Sequence, residues 1–132
     1  MGGSVNWLAV IAAAVSMFVV GGLWYSPLLF EKAWARSAGL SSEDLKRGNP
    51  AVIFGIAFVL TLLMAANLAF FVAGVDLGMT IAYAIAAGLG WAGFGLGVVA
   101  LFERRPLSYF LINGGYLTVG FAVMGLILGL WR

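Results

Sequence analysis

The sequence predicts an all-α membrane protein of four transmembrane helices, arranged as two hairpins with a short interfacial helix after the first span. Three observations predict it. Of 132 residues, 64% are hydrophobic and 9% charged, whereas a soluble domain carries about 25% charged residues. Residues 1–30, 51–75, 77–102 and 106–131 contain no charge, and each run exceeds the ~20 apolar residues that cross a ~30 Å hydrocarbon core. The Lys and Arg residues gather in two of the connecting loops.

The elements follow in order. Spans are expected near 5–26, 51–74, 79–102 and 107–131, making residues 1–132 a single four-helix domain. Helices are required because each backbone N–H and C=O in lipid must be satisfied within its own segment. Pro27 ends or kinks the first helix, since it lacks an N–H and disfavours helix before it. Residues 27–38 then read as an interfacial helix. Phe30 and Trp34 share one face, placed in the lipid boundary, Lys32 and Arg36 share another, and Gly39 ends the helix. Ser41-Ser42-Glu43-Asp44 can cap one further turn. Asn49-Pro50 reads as a cap with Pro at the first helical position, and Pro106 opens the fourth span in the same way.

Lys32, Arg36, Lys46 and Arg47 follow the first span, and Arg104 and Arg105 follow the third. No Lys or Arg stands before the first span or near Asp76; only Arg132 dissents. The positive-inside rule therefore places both basic loops in the cytoplasm of a bacterial inner membrane and both termini outside. Nothing before Val5 resembles a signal peptide.

Leu29-Phe30-Glu31-Lys32 and Leu101-Phe102-Glu103-Arg104 end the first and third apolar runs alike. Pro50 with Phe54 and Pro106 with Phe110 open the second and fourth. This is either a faint parallel duplication about an axis along the membrane normal or chance similarity in a Gly/Ala/Leu-rich chain.

Several chemistries are disfavoured. With no Cys and no His, disulfides, thiol catalysis and Cys/His metal sites have no ligands, and a net charge of +2 gives no nucleic-acid face. No Asp, Glu, Lys or Arg lies within a span, so a proton relay or ion-coupled pump lacks its usual parts. No enzyme, metal or cofactor is expected. Gly88-Leu89-Gly90-Trp91-Ala92-Gly93 matches the dinucleotide fingerprint in letters, but that motif needs a strand before it and a helix after it.

Close helix packing explains those glycines better. Gly93 with Gly97, Gly125 with Gly129, and Ala84, Gly88 and Ala92 form small-residue stripes that let backbones approach, within the chain or between chains. A homo-oligomer, dimer or trimer, joined through the third or fourth helix is expected. The polar interior is expected at Asn67, Trp91, Asn113 and Tyr116, either as interhelical hydrogen bonds or as contacts to a solute or lipid. Trp91, in mid-span where Trp is unusual, is expected in the interior on a surface facing Asn113.

Gly22-Leu23-Trp24-Tyr25-Ser26-Pro27-Leu28-Leu29-Phe30, followed by Lys32 and Trp34, is the most specific motif of the chain. With Phe102-Glu103-Arg104-Arg105-Pro106, Phe110, Asn113, Tyr116, Trp131, Asn6 and Trp91-Ala92-Gly93-Phe94, it resembles the bacterial membrane family called domain of unknown function 1761. Two positions depart from the family's usual form: Glu31 stands where Gly is common, and Ala92 where a larger aliphatic is common. The resemblance implies a multi-pass bacterial membrane protein without an established activity. The expected function is non-enzymatic: binding or organising lipid or partner helices, or else passage of a small neutral or weakly polar solute.

Overall fold

A computed structural model describes residues 5–131. Residues 1–4 and the dissenting Arg132 lie outside the described residues.

The helices are α1 (Trp7–Trp24), α2 (Glu31–Ala38), α3 (Ser42–Lys46), α4 (Pro50–Val72), α5 (Leu77–Ile85), α6 (Phe94–Phe102) and α7 (Leu107–Leu130). A π-helical segment, Ala86–Gly93, joins α5 to α6 without a break. Four helices are therefore long and apolar enough to cross a membrane: α1, α4, the third span Leu77–Phe102, and α7.

Capping sets the boundaries. The Asn6 side chain accepts from the N–H groups of Leu8 and Ala9, and its amide donates to the Trp131 carbonyl at 3.3 Å, joining the two ends of the chain. Asn49 caps α4 ahead of Pro50, and the Asp76 carboxylate caps α5 by accepting from Met79 N–H. α1 stops at Trp24, earlier than the position of Pro27 alone predicts. There the chain turns tightly, with the Phe30 N–H donating to the Trp24 carbonyl at 3.0 Å and the Glu31 N–H to the Ser26 carbonyl at 3.2 Å. α2 ends in the left-handed Gly39 at φ 71°, a conformation that costs glycine little. α3 carries a full capping box between Ser41 and Asp44. Hydrogen bonds from the Ser41 backbone and hydroxyl hold the Asp44 carboxyl below its ordinary value.

The spans form two antiparallel hairpins, α1 with α4 and the third span with α7, joined where α1 packs on α7. Across the molecule the order is third span, α7, α1, α4. The core lies in this row. Ala9, Ala13, Ala14, Ala65 and Met124 are fully buried, with Met17, Val72, Leu68 and Phe121 close behind. α4 and the third span, adjacent in sequence, barely touch. The row does not close, and a cleft separates its ends.

Glycines draw α7 against its neighbours. A Cβ on Gly88 would stand 2.6 Å from the Phe121 Cβ, and one on Gly125 would stand 2.5 Å from the Ala84 Cβ. Gly97 faces the Phe110 ring, Gly129 faces Leu77, and Gly93 lies beside Gly114. All five predicted packing glycines therefore sit in the interface between the third span and α7. The faces expected to join chains are filled inside one chain.

The π segment explains one departure. An α-helical stripe runs Ala84, Gly88, Ala92. The wider π turn instead returns Gly93 to α7, five residues after Gly88, and moves Ala92 to the cleft wall.

Candidate functional site

Two polar-aromatic regions stand out. The first lies at the end that carries the basic loops. Trp24 and Tyr25 end α1 side by side, and both reach α7. The Trp24 indole N–H donates to the Ile112 carbonyl at 2.8 Å. The Tyr25 hydroxyl donates to the Asn113 side-chain oxygen, and the Asn113 amide donates to the Tyr109 carbonyl at 3.0 Å. Gly115 makes room, since a Cβ there would stand 2.8 Å from the Trp24 ring. Tyr116 packs edge-on against Tyr25 with ring centres 5.4 Å apart and presses on Gly21.

The interfacial segment folds onto this knot. Phe30 packs on Trp24 at 5.0 Å and Trp34 on Tyr25 at 5.4 Å between ring centres. The aromatic face of α2, expected in the lipid boundary, instead covers α1 and α7. Aromatic partners of matching height are available there, so the rings gain packing that disordered lipid does not give. Lys32 and Arg36 remain exposed. Arg105 fastens α2 to the second basic loop by donating to the Ala38 carbonyl at 2.6 Å, and its guanidinium lies 5.6 Å from the Tyr109 ring centre. Ser26 and Pro27 form the turn that presents these rings, with the Ser26 hydroxyl donating to the Leu23 carbonyl at 2.7 Å.

The second region is the cleft. It measures about 1000 Å³ and lies between α4 and the third span, with Phe121 of α7 as its floor. Leu60, Leu63, Met64, Asn67, Leu68 and Phe71 form one wall; Tyr83, Ala86, Ala87, Trp91 and Ala92 form the other. Trp91 is 71% exposed, and its ring meets Phe71 across the cleft with centres 6.1 Å apart. It does not lie in the interior opposite Asn113, as the sequence led us to expect. The π turn that faces Gly93 to α7 swings Trp91 outward, and Asn113 is taken by Tyr25 from α1.

Asn67, Asn113 and Tyr116 do not share one passage. Asn113 and Tyr116 belong to the knot, whereas Asn67 faces the cleft and donates to the Leu63 carbonyl at 2.9 Å. Counted from the basic-loop ends of α4 and α7, Asn67 and Asn113 differ in depth by about 16 Å.

Sequence reasoning missed Gly21, Gly115, Phe71 and Phe121. The paired glycines Gly21-Gly22 and Gly114-Gly115 inside apolar spans were the available signal for the first two. Phe71 and Phe121 have none, because in an apolar helix every face looks alike. Among the described residues no group of three or more acidic side chains converges.

No curated protein and no solved structure matches this chain. The match that does stand runs over residues 8–129, from the first turn of α1 to the last turn of α7, and by it the chain belongs to the family described as Protein of unknown function (DUF1761).

Proposed function

We propose that this protein binds membrane lipid, seating an acyl chain in the cleft between α4 and the third span. One observation carries the reading: a cleft of about 1000 Å³ with apolar walls, open sideways at exposed Leu60, Leu63, Phe71 and Trp91. Binding pockets for small molecules commonly measure about 300–1000 Å³. A guest drawn from the bilayer reaches such a site without crossing water.

The reading is one of binding, not catalysis. The acidic groups near the spans have structural duties: Glu31 opens α2, Asp76 caps α5, and Glu103 ends α6 beside Arg105. The knot of Trp24, Tyr25 and Asn113 fixes α1 to α7 and holds the floor of the cleft in place. In this reading the basic loops face the cytoplasm of a bacterial inner membrane and both termini lie outside. Self-association into a dimer or trimer uses surfaces other than the Gly93 and Gly125 faces.

The test is to fill the cleft. Ala86→Trp puts a large ring between the walls, and Val98→Trp puts the same ring on exposed surface that does not line the cleft. Purified from membranes in mild detergent, the parent and Val98→Trp should retain lipid in native mass spectra, and Ala86→Trp should lose it. Equal retention by all three would overturn the reading.

A further inference from the structure

A helix that lies at a membrane surface ordinarily turns its apolar face to lipid and its charged face to water. In α2 the apolar face is already taken. Phe30 and Trp34 pack on the rings of Trp24 and Tyr25, Ser37 is buried, and the Ala38 carbonyl accepts from Arg105. These contacts fix the rotation of α2 about its own axis. Lys32 and Arg36 stand two residues before and two after Trp34, each about 200° round the helix from it. Both are exposed, so the two cations share the outer side of the helix.

The acidic groups at this end leave them free. Asp44 pairs with Arg47, and Glu103 lies 3.9 Å from Arg105. Glu31 opens α2, where the helix N-terminus favours a carboxylate, and Glu43 shares α3 with Lys46. Among the described residues none of these carboxylates forms an ion pair with Lys32 or Arg36. Arg104 is turned away, donating to the Leu101 and Phe102 carbonyls behind it.

Hydrocarbon lies beside the charge. Leu28 and Leu29, in the turn that leads into α2, are 86% and 54% exposed. The far end of α2 lies within one arginine side chain of the start of α7, because Arg105 precedes Pro106 and reaches Ala38. Lys32 and Arg36 are therefore carried at the edge of the apolar spans, the level of lipid phosphates. A soluble acidic partner would leave Leu28 and Leu29 in water, whereas a phospholipid covers the leucines and the cations at once.

We infer that the outer face of α2 binds an anionic phospholipid from the leaflet on the basic-loop side. Lys32 and Arg36 hold its phosphate, and its acyl chains lie beside Leu28 and Leu29. The site is separate from the cleft, since α2 packs on α1 and α7 and the cleft opens between α4 and the third span. Lipid on an outer face exchanges with detergent, so this contact is read by adding lipid back and not by what survives purification.

The experiment adds phosphatidylglycerol or phosphatidylcholine of identical chains to the delipidated full-length protein in neutral detergent, and reads bound lipid by native mass spectrometry. Both heads contain a phosphate, but only the first carries a net negative charge. The parent should favour phosphatidylglycerol by about five- to 25-fold, the value of one or two basic side chains at a lipid surface. Lys32→Gln with Arg36→Gln should bring the two lipids within about twofold. Both residues are exposed, so this variant should match the parent in circular dichroism and elution volume. Lys46→Gln with Arg47→Gln removes the same charge from the same end and should keep the preference, as should Ala86→Trp, which fills the cleft. A parent without the preference overturns the inference, as does a preference that survives the loss of Lys32 and Arg36. Equal loss in the Lys46→Gln, Arg47→Gln variant overturns it too, by showing a diffuse effect of charge. Loss in Ala86→Trp would assign the preference to the cleft and strike the separate site. Displacement of phosphatidylglycerol by inorganic phosphate, but not by chloride of equal ionic strength, would overturn the assignment to lipid.

Discussion

Replacing Gly88 by alanine adds one methyl group at a close contact between the third span and α7. The new Cβ would stand 2.6 Å from the Phe121 Cβ and 2.8 Å from the Leu117 carbonyl oxygen. Ordinary contact begins at 3.4 Å, so about 0.8 Å must be found at Phe121. Neither neighbour is a flexible tip; one is a Cβ and the other is backbone. The two helices must part, and overpacking of this kind costs about 1–3 kcal/mol. That is roughly a five- to 150-fold loss in the folding equilibrium. Two controls calibrate the measurement. Gly120→Ala meets the Met17 sulfur at 2.7 Å, but a methionine side chain can swing away, so its cost should fall below about 1 kcal/mol. Gly95→Ala meets nothing within 4 Å and should be neutral, or stabilising by up to about 1 kcal/mol through helix propensity. Reversible unfolding in mixed micelles, followed by circular dichroism, ranks the three. A Gly88→Ala variant as stable as Gly95→Ala would refute the argument that this seam is set by the missing side chain.

Two further predictions test other parts of the structure. Tyr25→Phe removes the bond to Asn113 and keeps the ring contacts with Trp34 and Tyr116; it should cost about 0.6–1.5 kcal/mol in the same unfolding assay, and no change would mean the bond is not made in lipid. The chain has no cysteine, so Ser42→Cys and Gly78→Cys report topology cleanly: an impermeant thiol reagent added outside intact cells should label Gly78→Cys and spare Ser42→Cys, and the reverse pattern would invert the orientation.

How much of this was legible in the sequence depends on the kind of signal. Charge-free runs set the four spans, and Asn49-Pro50 fixed the start of the second, whereas the Asp76 cap of the third was not read. The Ser41 box was legible because capping is local chemistry. Facing was not legible. In a span where nearly every residue is apolar, hydrophobicity does not say which side meets protein, and only the small residues carry that information. They did mark the surface of the third span that meets α7. They did not say that the surface is filled within one chain, because a glycine stripe serves either purpose. The π turn defeated the expectation for Trp91, since one extra residue in a turn reassigns the faces beyond it. The Tyr25–Asn113 bond joins residues 88 positions apart, a distance over which a single sequence offers no pairing signal.

The cleft itself follows from an asymmetry between the two hairpins. Were they equivalent, α1 on α7 would be matched by the third span on α4. Only the first contact closes. α7 offers Gly115 and Gly120, which receive Trp24 and Met17 of α1, and α1 offers Gly21, which receives Tyr116. Where lipid gives no hydrophobic drive, such small residues are what permits helices to meet. At the corresponding place α4 carries Leu60, Leu63 and Phe71, and the third span carries Tyr83 and Trp91. Bulky chains on both walls hold the helices apart, and the ring contact of Phe71 with Trp91 bridges them without closing the gap. Ala86, Ala87 and Ala92 keep the far wall low behind those rings, which gives the gap its depth. The opening is thus written into side-chain size at particular positions, and it predicts its own reversal. Trp91→Ala together with Phe71→Ala should let α4 approach the third span, shrink the cleft and lower lipid retention. A double variant that binds more lipid than the parent would show that these rings obstruct the guest and do not hold its site open.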